Sequence, residues 1–158
     1  MADLKPAAQR VQDALREKGL EAQVRHMPQA TRSAEKAAAA CGCSVGQIVK
    51  SLIFRGRASG KPYLLLVSGA NRVNEQGIAA AIGEALRRPD AEDVRAITGF
   101  AIGGIPPLGH PTPLPTFMDA ALIGYDLVWA AAGTPDAVFA VAPDRLAAAA
   151  GAKVIAVT

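Results

Sequence analysis

A chain of 158 residues with 17 Lys and Arg against 14 Asp and Glu is long enough to bury a full apolar core, and one domain over residues 1–158 is expected. The net charge of +3 permits contact with a nucleic-acid backbone without demanding it, while aromatic residues at 4% argue against stacked base readout. Residues 1–6 lack an apolar signal core and no run of about 18 apolar residues exists, so a cytoplasmic protein without membrane association is expected.

In chain order, Leu4, Ala8, Val11 and Leu15 recur at helical spacing and predict a helix over 4–18, with Asp3 as cap, Pro6 tolerated in the first turn and Gly19 as the stop. Residues 21–27 alternate weakly and end at Pro28, which predicts a short strand. Thr31 or Ser33 can cap a second helix through the alanines at 37–40, stopped by Gly42; Ser44 and Gln47 then have capping-box spacing for a single turn. Residues 48–54 and 63–67 are the strongest strand signals, joined by a polar turn over 55–61 into a hairpin expected at the centre of a sheet.

Asn74 can cap a helix carrying Ile78 and Ile82 and ending at Gly83. An extended piece near 85–88 follows, then a helix capped by Asp90 with Val94 and Ile97 inward and Gly99 as its stop. Strands are predicted over 115–118, 126–130 and 137–141. Pro143 opens a last helix with Leu146 inward and Gly151 at its end, before a final strand over 154–157. Helices and hairpins in this mixed order indicate one α+β domain on a large mixed sheet.

The stretch Thr98-Gly99-Phe100-Ala101-Ile102-Gly103-Gly104-Ile105-Pro106-Pro107-Leu108-Gly109-His110 cannot continue a helix or a central strand. It is either a conformational turn or a shaped loop offering the Gly103 and Gly104 amides to an oxygen that gains charge in a transition state. A dinucleotide fingerprint is excluded, because prolines follow the glycines and forbid an immediate helix. Lys50 shares a strand face with Ile48, Leu52 and Phe54; it is either an edge lysine reaching for water or a fixed ammonium for a phosphate or carboxylate. His26 and His110 have no serine or cysteine nucleophile beside them in sequence and no carboxylate at metal-ligand spacing, so no zinc site is expected. Cys41 and Cys43 stand one residue apart with no second pair, which suits a reducing compartment; Cys43 reads as a half-buried apolar filler.

Three segments together resemble the YbaK/ProX family of aminoacyl-tRNA deacylases and prolyl-tRNA synthetase editing insertions. They are Gln47-Ile48-Val49-Lys50-Ser51-Leu52-Ile53-Phe54, Val67-Ser68-Gly69-Ala70-Asn71-Arg72-Val73, and the glycine-proline stretch above, in order and spacing. The resemblance implies a large mixed, partly barrel-like sheet flanked by helices, and a trans-editing hydrolase that cleaves the ester of a mischarged tRNA. The expected substrate is proline tRNA carrying alanine, cysteine or another small amino acid. It places the family's lysine on Lys50, holding the terminal adenosine or its phosphate at the CCA end, and the glycine of its glycine-x-x-x-proline element on Gly103, positioning the ester carbonyl and water. Met27, Ser51, Gly104, Ile105, Pro107, His110 and Gly133 fall on positions expected to border the substrate.

No cofactor or metal is implied, and prolyl-tRNA synthetase is a candidate partner; specific DNA binding is not expected. Ser51 stands where the alanine-removing subgroup has asparagine, and Met27 where the cysteine-removing subgroup often has an aromatic residue, so the amino acid removed stays open. A binding module that captures aminoacyl-tRNA or a synthetase without turnover is the alternative from another class.

Overall fold

The computed structural model describes residues 4–28 and 33–158; the caps expected at Asp3 and Thr31 lie outside them. Helix α1 spans Pro6–Glu17, with proline in the first turn where no N–H is missed, and buries Ala8, Val11 and Leu15. Ser33 caps α2, Ala34–Cys41, by accepting from the Lys36 N–H, and Gly42 ends it in the left-handed region at φ 69°. The capping box of Ser44 and Gln47 closes one turn over Val45–Gln47 and delivers the chain into β2, Ile48–Gly56.

Strand β3, Pro62–Ser68, returns antiparallel to β2 from Arg55 opposite Pro62 to Val49 opposite Ser68, and five of its residues are apolar and buried on both faces. The rest of the chain supplies α3 (Glu75–Ile82), β4 (Leu86–Arg87), α4 (Ala91–Thr98), β5 (Thr116–Asp119), β6 (Val128–Ala131), β7 (Ala137–Val141), α5 (Pro143–Ala150) and β8 (Ala152–Ile155). The sheet runs β1-β7-β6-β2-β3-β5-β8, where β1 is Arg25–His26, and β4 pairs with the far end of β2. β6 lies parallel to β2, as β5 does to β3 and β8 to β5; the other pairs are antiparallel. The expected mixed sheet with the 48–67 hairpin at its centre is therefore present.

Alternation along the hairpin divides the core. Val49, Ile53, Leu64 and Leu66 join α1, Val94, Phe100, Phe139 and Leu146 on one face. Phe54, Leu65 and Val67 join Ile78, Leu86 and Val157 on the other, while Ile48 meets Ala37 and Ala38 of α2.

Two expectations are corrected. The strand predicted over 21–27 is confined to Arg25–His26, because Gln12 of α1 accepts from the Val24 N–H at 2.8 Å and donates to the Ala22 carbonyl at 3.1 Å, satisfying main chain that would otherwise enter a ladder. The final strand lies at Ala152–Ile155 rather than 154–157. The chain then leaves β5, and Val157 accepts from the Asn74 N–H at 2.7 Å while its side chain packs against Ile78.

Candidate active site

The site begins with a mismatch in strand length. β6 pairs with β2 only at Ile48 opposite Trp129 and Val49 opposite Ala130, and then turns away through Ala132 and Gly133 toward β7. β2 continues. Ile48 accepts from Gly69 and Gly56 donates to Lys61, so even-numbered residues of β2 bond toward β3 and odd-numbered ones toward the opposite edge. Ser51 thus points its N–H and C=O into the gap that β6 leaves. Its hydroxyl oxygen is buried and meets no hydrogen-bond partner among the described residues.

A half-open cavity of about 240 Å³ fills this gap. β2 contributes Ile48 to Leu52, β6 and β7 contribute Trp129, Ala130, Ala131 and Val138, α2 contributes Ser33, Ala34, Ala37 and Cys41, and the glycine-proline loop contributes Ile102, Gly103 and Ile105. Lys50 and Gly103, far apart in sequence, therefore face one small space. Most of the lining is apolar, and none of it among the described residues is a carboxylate.

Lys50 is half-buried on the face between the α2 cluster at Ile48 and the α3 cluster at Leu52. Its ammonium donates to the Asn71 carbonyl at 2.5 Å. Burial first, then the neighbouring Arg72, push its pKa below the ordinary lysine value; Glu35 and Asp119 oppose the shift, and Arg88 adds to it. Lys50 is half-buried and, among the described residues, forms no ion pair.

The loop is braced from behind. Thr98, fully buried, accepts from the Phe100 N–H at 3.0 Å, and Arg10 of α1 lies over the Phe100 ring at 4.4 Å while donating to the Gly99 carbonyl. Gly103 sits at φ 96°, a conformation costly for any residue with a Cβ, and its N–H meets no acceptor among the described residues. Gly104 serves differently from expectation. Its N–H donates to the Ala101 carbonyl at 3.0 Å and so cannot also serve an oxygen in the cavity; its carbonyl accepts from Gly133 at 2.8 Å. A Cβ on Gly104 would lie 2.8 Å from Thr134 Cα, and one on Gly133 would lie 2.6 Å from the Ala7 carbonyl oxygen. Three main-chain segments are stacked there with no side chain between them.

Of the site residues expected from sequence, Lys50, Ser51, Gly103 and Ile105 line the cavity, whereas Met27, Gly104, Pro107, His110 and Gly133 do not. Met27 bonds through its N–H to Asp136 beside β7, and Pro107 is buried in the loop. The His110 ring donates from Nε2 to the Pro106 carbonyl at 2.9 Å and meets Phe100 edge-on. Burial pushes its pKa down against the opposing effect of that carbonyl, so it acts as a neutral brace for the loop. Cys41, Trp129, Ile102, Val138 and the α2 alanines carried no sequence signal for a site, because a small-residue helix face reads the same whether it meets a core or a cavity. Among the described residues, no three His, Cys, Asp or Glu side chains are grouped to hold a metal ion. No helix there is long and apolar enough to cross a membrane.

Fold and cavity define a small mixed-sheet protein with a largely apolar recess to which Lys50, Ser51 and Gly103 contribute. The chain belongs to the aminoacyl-tRNA editing domain family, whose sequence pattern matches residues 28–149. It is similar over 99% of its length, and 99% of the other chain, to a solved structure described as a proposed trans-editing enzyme for prolyl tRNA synthetase, with 49% identity and a TM-score of 0.92. EbsC of Enterococcus faecalis, whose name proposes a Cys-tRNA(Pro)/Cys-tRNA(Cys) deacylase, is 27% identical over 115 residues, covering 72% of this chain and 70% of EbsC. A proline–tRNA ligase of Limosilactobacillus fermentum is 31% identical over 94 residues, covering 57% of this chain and 16% of the ligase.

Proposed function

We propose that this protein is a free-standing hydrolase that removes a small wrong amino acid from a mischarged tRNA. The substrate that fits best is proline tRNA carrying alanine, cysteine or a similar residue. The observation that carries this reading is the convergence of Lys50 and Gly103 on one small, mostly apolar cavity, in a chain whose family edits aminoacyl-tRNA.

The Lys50 ammonium holds the terminal adenosine or its phosphate at the CCA end. The Gly103 N–H positions the ester carbonyl and stabilises the oxygen as it becomes negative; one such donor supplies about 10²–10³-fold in rate. Water adds to the carbonyl carbon and the bond to the ribose oxygen breaks; one of the water's protons ends on the freed ribose hydroxyl, and the other passes to solvent as the amino acid leaves as its carboxylate. An aminoacyl ester is already activated, so positioning suffices without a protein nucleophile. The side chain of the wrong amino acid occupies the space between α2 and Val138, where the available volume sets what can enter. Prolyl-tRNA synthetase is the partner that would supply the mischarged tRNA.

The test is a panel of labelled aminoacyl-tRNAs incubated with catalytic amounts of the protein and of Lys50→Ala. Turnover of a small-residue tRNAPro by the native chain, lost in a folded Lys50→Ala variant, is the expected result. Retention of the tRNA without hydrolysis would make the protein a binding module, and full activity in Lys50→Ala would remove the lysine from the mechanism.

A further inference from the structure

One buried carboxylate outside the cavity is tied to Lys50 by a continuous path. Asp119, at the end of β5, is 2% exposed. Its Oδ1 accepts from the Ala121 N–H at 2.9 Å, and its Oδ2 accepts from the Ser68 N–H at 3.1 Å and from Asn71 Nδ2 at 2.9 Å. The main-chain carbonyl of that same Asn71 is the acceptor of the Lys50 ammonium. We propose that Asp119 is a positioning residue for Lys50, fixing the turn after β3 so that the Asn71 carbonyl aims the ammonium at the cavity.

The turn is held tightly at its start. Ser68 donates from its hydroxyl to the Gly46 carbonyl at 2.8 Å, Gly69 donates to the Ile48 carbonyl at 2.7 Å, and a Cβ on Gly69 would lie 2.5 Å from the Val45 carbonyl oxygen. At its far end Asn71 donates from its N–H to the Ser68 carbonyl at 2.9 Å, and its side chain is anchored by Asp119. A lysine side chain is long and loses much freedom when ordered, so an acceptor that stays in place decides where its charge rests. A buried carboxylate with several N–H donors is a stiff anchor, since losing any of these bonds leaves a desolvated group unpaired.

The same path predicts an electrostatic effect. Among the described residues, the charged groups that act on Lys50 are Arg72 next to Asn71, Glu35 of α2, Arg88 after β4, and Asp119. Burial and the two arginines lower the lysine's pKa, while Glu35 and Asp119 raise it. Neutralising Asp119 therefore lowers it further, an effect that loss of packing alone does not produce.

The role of Lys50 in turnover rests on the hydrolase reading above; the placement of its ammonium does not. Two measurements on the full chain keep these apart. The first is the titration of the Lys50 side chain by NMR in selectively labelled native protein and Asp119→Asn; the second is kcat and KM for a mischarged tRNAPro in native protein, Asp119→Asn and Asn71→Ala. The expected result is a lower Lys50 midpoint in Asp119→Asn, and kcat/KM reduced about tenfold in both variants, the scale of one lost charge-assisted hydrogen bond, mostly through KM. A native midpoint and native kcat/KM in folded Asp119→Asn overturn the proposal. If Asp119→Asn does not fold, Asn71→Ala at its half-buried turn decides, and unchanged kcat/KM there overturns it. If the native protein hydrolyses no aminoacyl-tRNA, the hydrolase reading fails while the NMR titration still judges the positioning.

Discussion

Single atoms decide much of what the site can do. Gly104 has no room for a Cβ, because the Gly133 and Thr134 main chain stands 2.8–2.9 Å from where it would sit. Gly104→Ala is expected to destabilise by about 1–3 kcal/mol, the usual range for overpacking, and to reduce deacylation by moving Gly103; urea unfolding and initial rates check the two effects separately. Cys41 gives the opposite expectation. Burial, reinforced by Cys43 and opposed by Arg25, pushes its thiol up to about 11, so at neutral pH it is protonated and a poor nucleophile. Cys41→Ser should retain turnover, and alkylation of Cys41 should be slow at pH 8 and accelerate only as the pH approaches that value. Strand alternation put the Lys50 stem among apolar neighbours but reads the same for an edge lysine reaching for water; the family resemblance, not the strand pattern, singled it out. The engagement of the Gly104 N–H was not legible, since it depends on a turn that brings Ala101 within reach. The packing of the His110 ring against Phe100 and the Pro106 carbonyl was not legible either, because adjacency to a glycine loop does not say which side of the loop a ring packs on.

At the level of elements, Glu84 ties the start of β4 to the β2–β3 turn. Its carboxylate accepts from Ser59 Oγ at 2.5 Å, the Ser59 N–H at 3.0 Å, the Ala58 N–H at 3.1 Å and the Tyr63 hydroxyl at 2.7 Å. These bonds, led by the Ser59 hydroxyl, lower its pKa from 4.5 to about 2. The folded value lies below the unfolded one, so the stabilisation is fully present above about pH 4.5 and is lost as the pH falls through about 2. Glu84→Gln is expected to lower Tm at pH 7, with the difference from the native chain shrinking as the pH drops across that window; thermal melts at several pH values check it. Helices α2, α3 and α4 were legible from their side-chain caps and glycine stops, α1 and α5 from their opening prolines and apolar spacing, and the central hairpin from its apolar runs. β1 was overextended because nothing in residues 21–27 announces that Gln12, on another element, occupies their main chain.

Across the whole molecule, the cavity exists because two parallel neighbours have unequal lengths, a property of the sheet that no local segment encodes. Sequence patterns located both strands, yet the gap depends on where β6 turns. Its width is set by side chains from separate elements, so selectivity should respond to changes remote from Lys50. Val138→Ala enlarges the space beside its cross-strand neighbour Ala131 and is expected to admit a larger amino acid with a gain of about 10-fold in relative kcat/KM, the lower end of what one or two methyl groups discriminate. Competition between tRNAPro species charged with alanine and with a larger residue measures it.

The polar fittings that meet the cavity at Ser51 and Gly103 belong to the peptide backbone itself. Side-chain substitution can resize the chamber through Ala37, Cys41 or Val138, whereas only proline would remove an N–H at Ser51 or Gly103. The size of the chamber and its main-chain lining can therefore change independently of each other.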